Sequence, residues 1–172
     1  FKLTQKAIRN RAKYLEALRL VETHDRLFSL KQIRKLFDLA IKYDSHLVVE
    51  FLLKRSVHRH DLDLYADDNR VIRLACESGS ARVVELLLAN GKCSDPGAKD
   101  NEAIKFACNN GATRVVELLL ADKRVDPRTN DTYTIRLASC NGHAEVVQIL
   151  LADPRVDPSA KNNWAIQAAS FY

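Results

Sequence analysis

The chain has 172 residues, 47% of them apolar and 28% charged, a balance that excludes wholesale disorder and allows a core without a disulfide or metal staple. No run approaches the 18 apolar residues of a membrane span, and the opening residues FKLTQKAIRNRAK lack the apolar stretch of a signal peptide. The net charge of +5 is unevenly placed: residues 1–60 carry 14 Lys and Arg against 6 Asp and Glu, whereas residues 61–172 carry 13 against 16.

In chain order, Thr4 to Glu22 reads as a helix with Ile8, Ala12, Leu15 and Leu18 on one stripe, so residues 1–28 are predicted to form an N-terminal helical cap. Its cations Lys2, Lys6, Arg9, Arg11, Lys13 and Arg19 are a candidate anion-binding set that could touch nucleic-acid phosphates, although a solvated helix face is the plainer reading. Ser29 with Gln32 has the form of a capping box, and Phe28 with Ile33 the spacing of a hydrophobic staple. LFDLAIKYDSHLVVEFLL, from Leu36, then matches VIRLACESGSARVVELLL, from Val71, with Asp44 where glycine stands later. Residues 29–66 are therefore predicted as a divergent first unit. In its outgoing loop, His58-x-His60 beside Asp61 could hold zinc on an extended strand, but no third ligand is evident nearby; a polar loop without metal or cofactor is expected.

From Asn69 onward the chain repeats. NRVIRLACESG, NEAIKFACNNG, TYTIRLASCNG and NWAIQAASFY begin at Asn69, Asn101, Thr132 and Asn163, in steps of 32, 31 and 31 residues. SARVVELLLAN, ATRVVELLLAD and HAEVVQILLAD follow Gly79, Gly111 and Gly142, and an Asp-Pro pair closes each block. Units are predicted at 67–98, 99–129 and 130–160, with a partial unit at 161–172. In each, Asn or Thr is expected to N-cap a first helix. Ile72 and Ala75 and their equivalents should face the core, glycine should end that helix in a left-handed turn, and a second helix should be sandwiched through its valine pair and leucines. Predicted helices are Asn69 to Ser78, Ala81 to Ala89, Glu102 to Asn109, Thr113 to Ala121, Tyr133 to Cys140 and Ala144 to Ala152. The last helix, Asn163 to Tyr172, has no second helix to cover it. With the start at Phe1 and the absence of methionine, this suggests part of a longer protein or complex.

The blocks ACESGSARVVELLL and NGHAEVVQILL resemble the ankyrin repeat, whose second-helix signature is G-H-x-E-V-V-x-L-L-L; the resemblance spans about Leu36 to Tyr172. The T-P-L-H motif is replaced by N-x-x-I and the period is one or two residues short. This is similar to the short-loop variant of amoebae and giant viruses, while the W-L-G-Y pattern of tetratricopeptide repeats is missing. The resemblance implies an all-α, ankyrin-type helical repeat solenoid with an N-terminal helical cap, binding a protein partner on a concave face of first helices and turns. It also implies a non-enzymatic interaction or scaffolding module, and no nucleophile elbow, P-loop or HExxH motif is present. His143 stands at the family's G-H position, where it bonds across the turn between helices.

With Ile72 and Ala75 inward, the helical step of about 100° places Arg70, Arg73 and Glu77 on the opposite face of the first helix. Their equivalents are Glu102, Lys105 and Asn109, then Tyr133, Arg136 and Cys140, then Trp164 and Gln167. This is the candidate partner-binding set, with Arg73, Lys105 and Arg136 as a solvent-facing cation row whose reversal to glutamate should leave melting unchanged. Anion contact through the N-terminal helix and a structural role in a large assembly are the alternatives. Cys76 and Cys108 read as small core residues. With Cys93 and Cys140 they lack CxxC spacing, so an intracellular protein, cytoplasmic or nuclear, is expected.

Overall fold

The computed structural model describes residues 29–56, 69–89, 95–157 and 159. The predicted N-terminal cap, the His58 and His60 loop and the partial unit with Trp164 and Gln167 lie outside the described residues. Those described contain eight helices and no strand: α1 (Leu30–Lys42), α2 (His46–Ser56), α3 (Arg70–Glu77), α4 (Ala81–Ala89), α5 (Ala98–Asn109), α6 (Thr113–Ala121), α7 (Thr129–Cys140) and α8 (Ala144–Ala152). The first helices α1, α3, α5 and α7 stack in one layer, and α2, α4, α6 and α8 in the other.

Periodicity explains the layers. Ile72, Ala75, Ile104, Ala107, Ile135 and Ala138 are all buried, so each first helix turns one face to the core, and the alanine allows close approach. The second helices bury Val83, Val84 and Leu87, Val115, Val116 and Leu119, and Val146 and Leu150. The second leucine of each pair in α4, α6 and α8 is more open: Leu88 and Leu120 pack against the core from its edge, and Leu151 is 48% exposed. The helices α4, α6 and α8 have the bounds read from the sequence. Gly79, Gly111 and Gly142 adopt φ of 67°, 65° and 70°. The capping box at α1 is formed, with Ser29 N–H donating to Gln32 Oε1 at 2.8 Å and Gln32 N–H to Ser29 Oγ at 3.4 Å. Its neighbour Phe28 lies outside the described residues.

Asn69 and Asn101 do not cap their helices through their side chains. A side-chain cap typically has extended backbone and turns its oxygen to the amides of its own helix. Asn69 instead has φ 62°, and Lys99, Asp100 and Asn101 form a left-handed turn with φ of 51°, 58° and 57°. Right-handed helix resumes at Glu102, as the sequence predicts. Asn and Asp tolerate this conformation better than other side-chain-bearing residues. Their amide oxygens reach across to the following loop: Asp95 N–H donates to Asn69 Oδ1 at 3.0 Å and Asp126 N–H to Asn101 Oδ1 at 2.8 Å. The aspartates turn the loop themselves, accepting from Gly97, Arg128 and Ser159 N–H two residues on. The helix α7 begins at Thr129, four residues ahead of the predicted Tyr133.

On the second-helix side, Arg155 joins two units. Its guanidinium donates to Val125 O and Leu120 O, both at 2.9 Å, and Asp153 holds it from behind.

Candidate partner-binding face

The stacked first helices bring Arg70, Arg73, Glu77, Glu102, Lys105, Tyr133 and Arg136 into one layer, but the charges are largely engaged with one another. Arg70 makes two 2.9 Å bonds to the Asp38 carboxylate one helix upstream. Arg73 Nε meets Glu102 Oε2 at 2.9 Å one helix downstream. Asp38 and Arg73 hold equivalent positions, as do Arg70 and Glu102, so the same geometric rung occurs twice with its charges reversed. Lys105 turns to Asp100 at 2.7 Å, and the Arg136 guanidinium lies 5.5 Å from the centre of the Tyr133 ring. The side chains of Arg73 and Lys105 are only 14% and 16% exposed. The expectation of a solvent-facing cation row is thus corrected: stacking brings Glu102 to Arg73, while Asp100 and the Tyr133 ring reach Lys105 and Arg136 from the same helix. Charge reversal at Arg73 would set two carboxylates together instead of leaving stability untouched. Glu77 is exposed and Tyr133 is 37% exposed.

Between α3 and α5 an open groove of ≈ 320 Å³ is lined by Arg70, Arg73, Leu74, Glu77, Lys99, Glu102 and Phe106. Two of these, Leu74 and Phe106, were not among the sequence candidates. They belong to a recurring position, Leu39, Leu74, Phe106 and Leu137, whose members are all partly buried against the core edge. The signal was present in the sequence as an apolar residue directly after Asp38, Arg73, Lys105 and Arg136. A larger groove of ≈ 480 Å³ at the helix turns is lined by Glu77, Asn110, Thr113 and Arg114 among others, away from this apolar row.

Asn110 Nδ2 donates to Glu77 O at 2.7 Å, and His143 Nε2 lies 2.9 Å from Asn109 O. His143 therefore contacts the preceding unit's backbone, and Ser80 does the same with Ile41 O at the equivalent position. Burial pushes the thiols of Cys76 and Cys108 up, Cys108 to about 12 and Cys76 further, with Cys108 beside it adding to the effect of burial there. Both are fully buried and remain protonated at neutral pH, the behaviour of core residues. Lys2, Lys6, Arg9, Arg11 and Lys13 lie outside the described residues, as do Trp164 and Gln167. No described helix is long and apolar enough to cross a membrane.

A comparison with curated proteins finds no match to this chain. The family model described as "Ankyrin repeats (3 copies)" matches residues 36–131 and again 72–162. Ankyrin repeats generally mediate protein–protein interaction and are typically non-enzymatic. The matched span includes every described helix except the opening turns of α1, and the chain belongs to the ankyrin-repeat family.

Proposed function

We propose that the chain binds a protein partner, as an interaction or scaffolding module, across the face built by α3, α5 and α7, which in ankyrin arrays is the concave one. The observation that carries this reading is the open groove between α3 and α5, where apolar Leu74 and Phe106 lie beside charged side chains. Val83, Val84, Leu87, Val115, Val116, Leu119, Val146 and Leu150 of the second helices are spent on the core. Arg70, Arg73, Glu77, Glu102, Lys105, Tyr133 and Arg136 frame the docking surface in this reading, which extends to Trp164 and Gln167. The unit boundaries at 67–98, 99–129 and 130–160 are part of the same proposal. The rungs set the shape of the surface, while Glu77 and Tyr133 are its accessible polar contacts.

Photo-crosslinking residues placed at Glu77 and Tyr133, compared with the same residues at the exposed Glu85 and Glu117 of the second helices, test the face directly. The first pair should trap a partner from a cell extract and the second should not. Crosslinks only from Glu85 and Glu117 would put the docking surface on the other layer.

A further inference from the structure

Resting on the first-helix face as the docking surface, we infer that the partner segment seated on its α1 end is an acidic polypeptide, with carboxylates against Lys31, Arg34, Lys35 and Lys42 and apolar side chains beside them. Steps of about 100° along α1 put these cations and Asp38 in one sector about 100° wide. The opposite side carries the buried Ile33, Leu36, Phe37, Ala40 and Ile41. In the alignment of Leu36 with Val71, Lys35 and Lys42 match Arg70 and Glu77, so the sector continues the face of α3 and α5. All four cations are exposed, and none has an ion-pair partner among the described residues.

The acids of α1, its turn and α2 are already engaged. Asp38, four residues after Arg34, is held by two 2.9 Å bonds from Arg70. Asp44 accepts from Val83 N–H, and Glu50 from Lys54 at 2.7 Å. Lys31 stands in the first turn, where the helix macrodipole is positive, and it faces Arg34 and Lys35 as like charges at three- and four-residue spacing. Local electrostatics thus oppose the arrangement, and carboxylates docked on the stripe relieve it.

The surroundings favour a polypeptide over nucleic-acid phosphates. The stripe is short, about 16 Å from Lys31 to Lys42. Beyond it Glu77 stands exposed, and the groove between α3 and α5 mixes Arg70, Arg73 and Lys99 with Glu77 and Glu102. Residues 61–172 carry 13 Lys and Arg against 16 Asp and Glu, so a strand charged at every step meets repulsion past α1. A peptide confines its acids to the stripe. Apolar surface also flanks the cations: Leu30, Tyr43 and Leu47 are exposed, and Leu74 and Phe106 follow in the groove. A sugar-phosphate backbone has nothing to bury there, whereas leucine beside glutamate does. The rungs show the pairing this face accepts, Arg70 with Asp38 and Arg73 with Glu102.

The test uses the intact 172-residue chain and three fluorescein-labelled probes read by anisotropy: (Glu-Glu-Leu)4, its neutral counterpart (Gln-Gln-Leu)4, and a short single-stranded DNA. The account expects (Glu-Glu-Leu)4 to bind at least about tenfold tighter than either of the others, and to weaken at least about tenfold between about 50 and 500 mM NaCl. Combining Lys31→Gln, Arg34→Gln, Lys35→Gln and Lys42→Gln should weaken that probe about tenfold, several exposed pairs acting together, without lowering the melting temperature. The comparison of probes on the unaltered chain does not depend on how the variant folds. Failure of (Glu-Glu-Leu)4 to bind, or undiminished binding to the neutralised variant, overturns the inference. Equal or tighter binding of the DNA overturns the polypeptide occupant. If (Gln-Gln-Leu)4 binds as well and protects the amides of α3 and α5 from exchange, the acidic occupant is wrong while the face stands. Protection by (Glu-Glu-Leu)4 confined to α2 and α4 overturns the face as well.

Discussion

The turn between the two helices of a unit is made by glycine at positions 79, 111 and 142 and by Asp44 in the first unit, all with positive φ. At Gly111 the missing side chain leaves room for the ring of His143 to lie directly over the backbone. Asp44, at φ 50°, carries a conformational cost of roughly 1–2 kcal/mol for a residue with a Cβ, less for aspartate. Its carboxylate returns part of that cost by accepting from Val83 N–H in the next unit at 3.1 Å. One backbone shape is thus reached in two ways: by omitting the side chain so that a neighbour can approach, or by making that side chain the bridge. The comparison teaches that the recurring polar positions serve the seams between units before they serve any partner.

Changing the glycines should separate conformational strain from crowding. A Cβ at Gly111 would stand 2.5 Å from His143 Nδ1, whereas one at Gly142 would meet nothing within 4 Å. Gly142→Ala should cost about 1–2 kcal/mol from backbone strain alone, and Gly111→Ala about 1–3 kcal/mol more. Urea denaturation of both, with His143→Ala added to Gly111→Ala, checks this; the added change should recover part of the loss. Next in size is Asn101→Ala, about 2 kcal/mol, because it orphans Asp126 N–H and leaves alanine at φ 57°. Stability should also fall with acid. Hydrogen bonds from Arg124, Arg128 and Arg155 hold Asp122, Asp126 and Asp153 below the usual carboxylate range. Lowered folded values mean stabilisation that is complete above the unfolded value of about 3.9 and lost as pH falls through the folded value. Melting measured from pH 6 down to 2.5 should decline chiefly below pH 4, and less steeply in Asp153→Asn. Asp44→Gly should have the smallest effect, within about 1 kcal/mol, as relieved strain offsets the lost bond to Val83. Asp44→Ala, which keeps the strain and loses the bond, should be the less stable of the two.

What the sequence revealed follows from which forces are local. The second-helix bounds, the glycine turns, the α1 capping box and the inward Ile and Ala pairs depend on periodicity and on neighbours within four residues, and these expectations match the structure. The Asn69 and Asn101 expectation failed because asparagine favours both N-caps and left-handed turns, and only the following loop decides between them. The partner of Arg73 is non-local for a related reason: it finds Glu102, 29 residues away in sequence, only because the first helices stack. Leu74 and Phe106 are legible in the sequence only as a repeat position, an apolar residue directly after Arg73 and Lys105.

The rung between Arg73 and Glu102 tests the seam account most directly, through melting of Arg73→Glu, Glu102→Arg and the double exchange. With Arg73 only 14% exposed, each single reversal should lower stability by about 1 kcal/mol or somewhat more, shifting the melting temperature by roughly 2–4 °C. The double exchange should restore most of it, because the rung between α1 and α3 already exists with its charges in the opposite order. Three variants melting together with the unaltered chain would show that the rungs hold nothing, and would return those side chains to the partner.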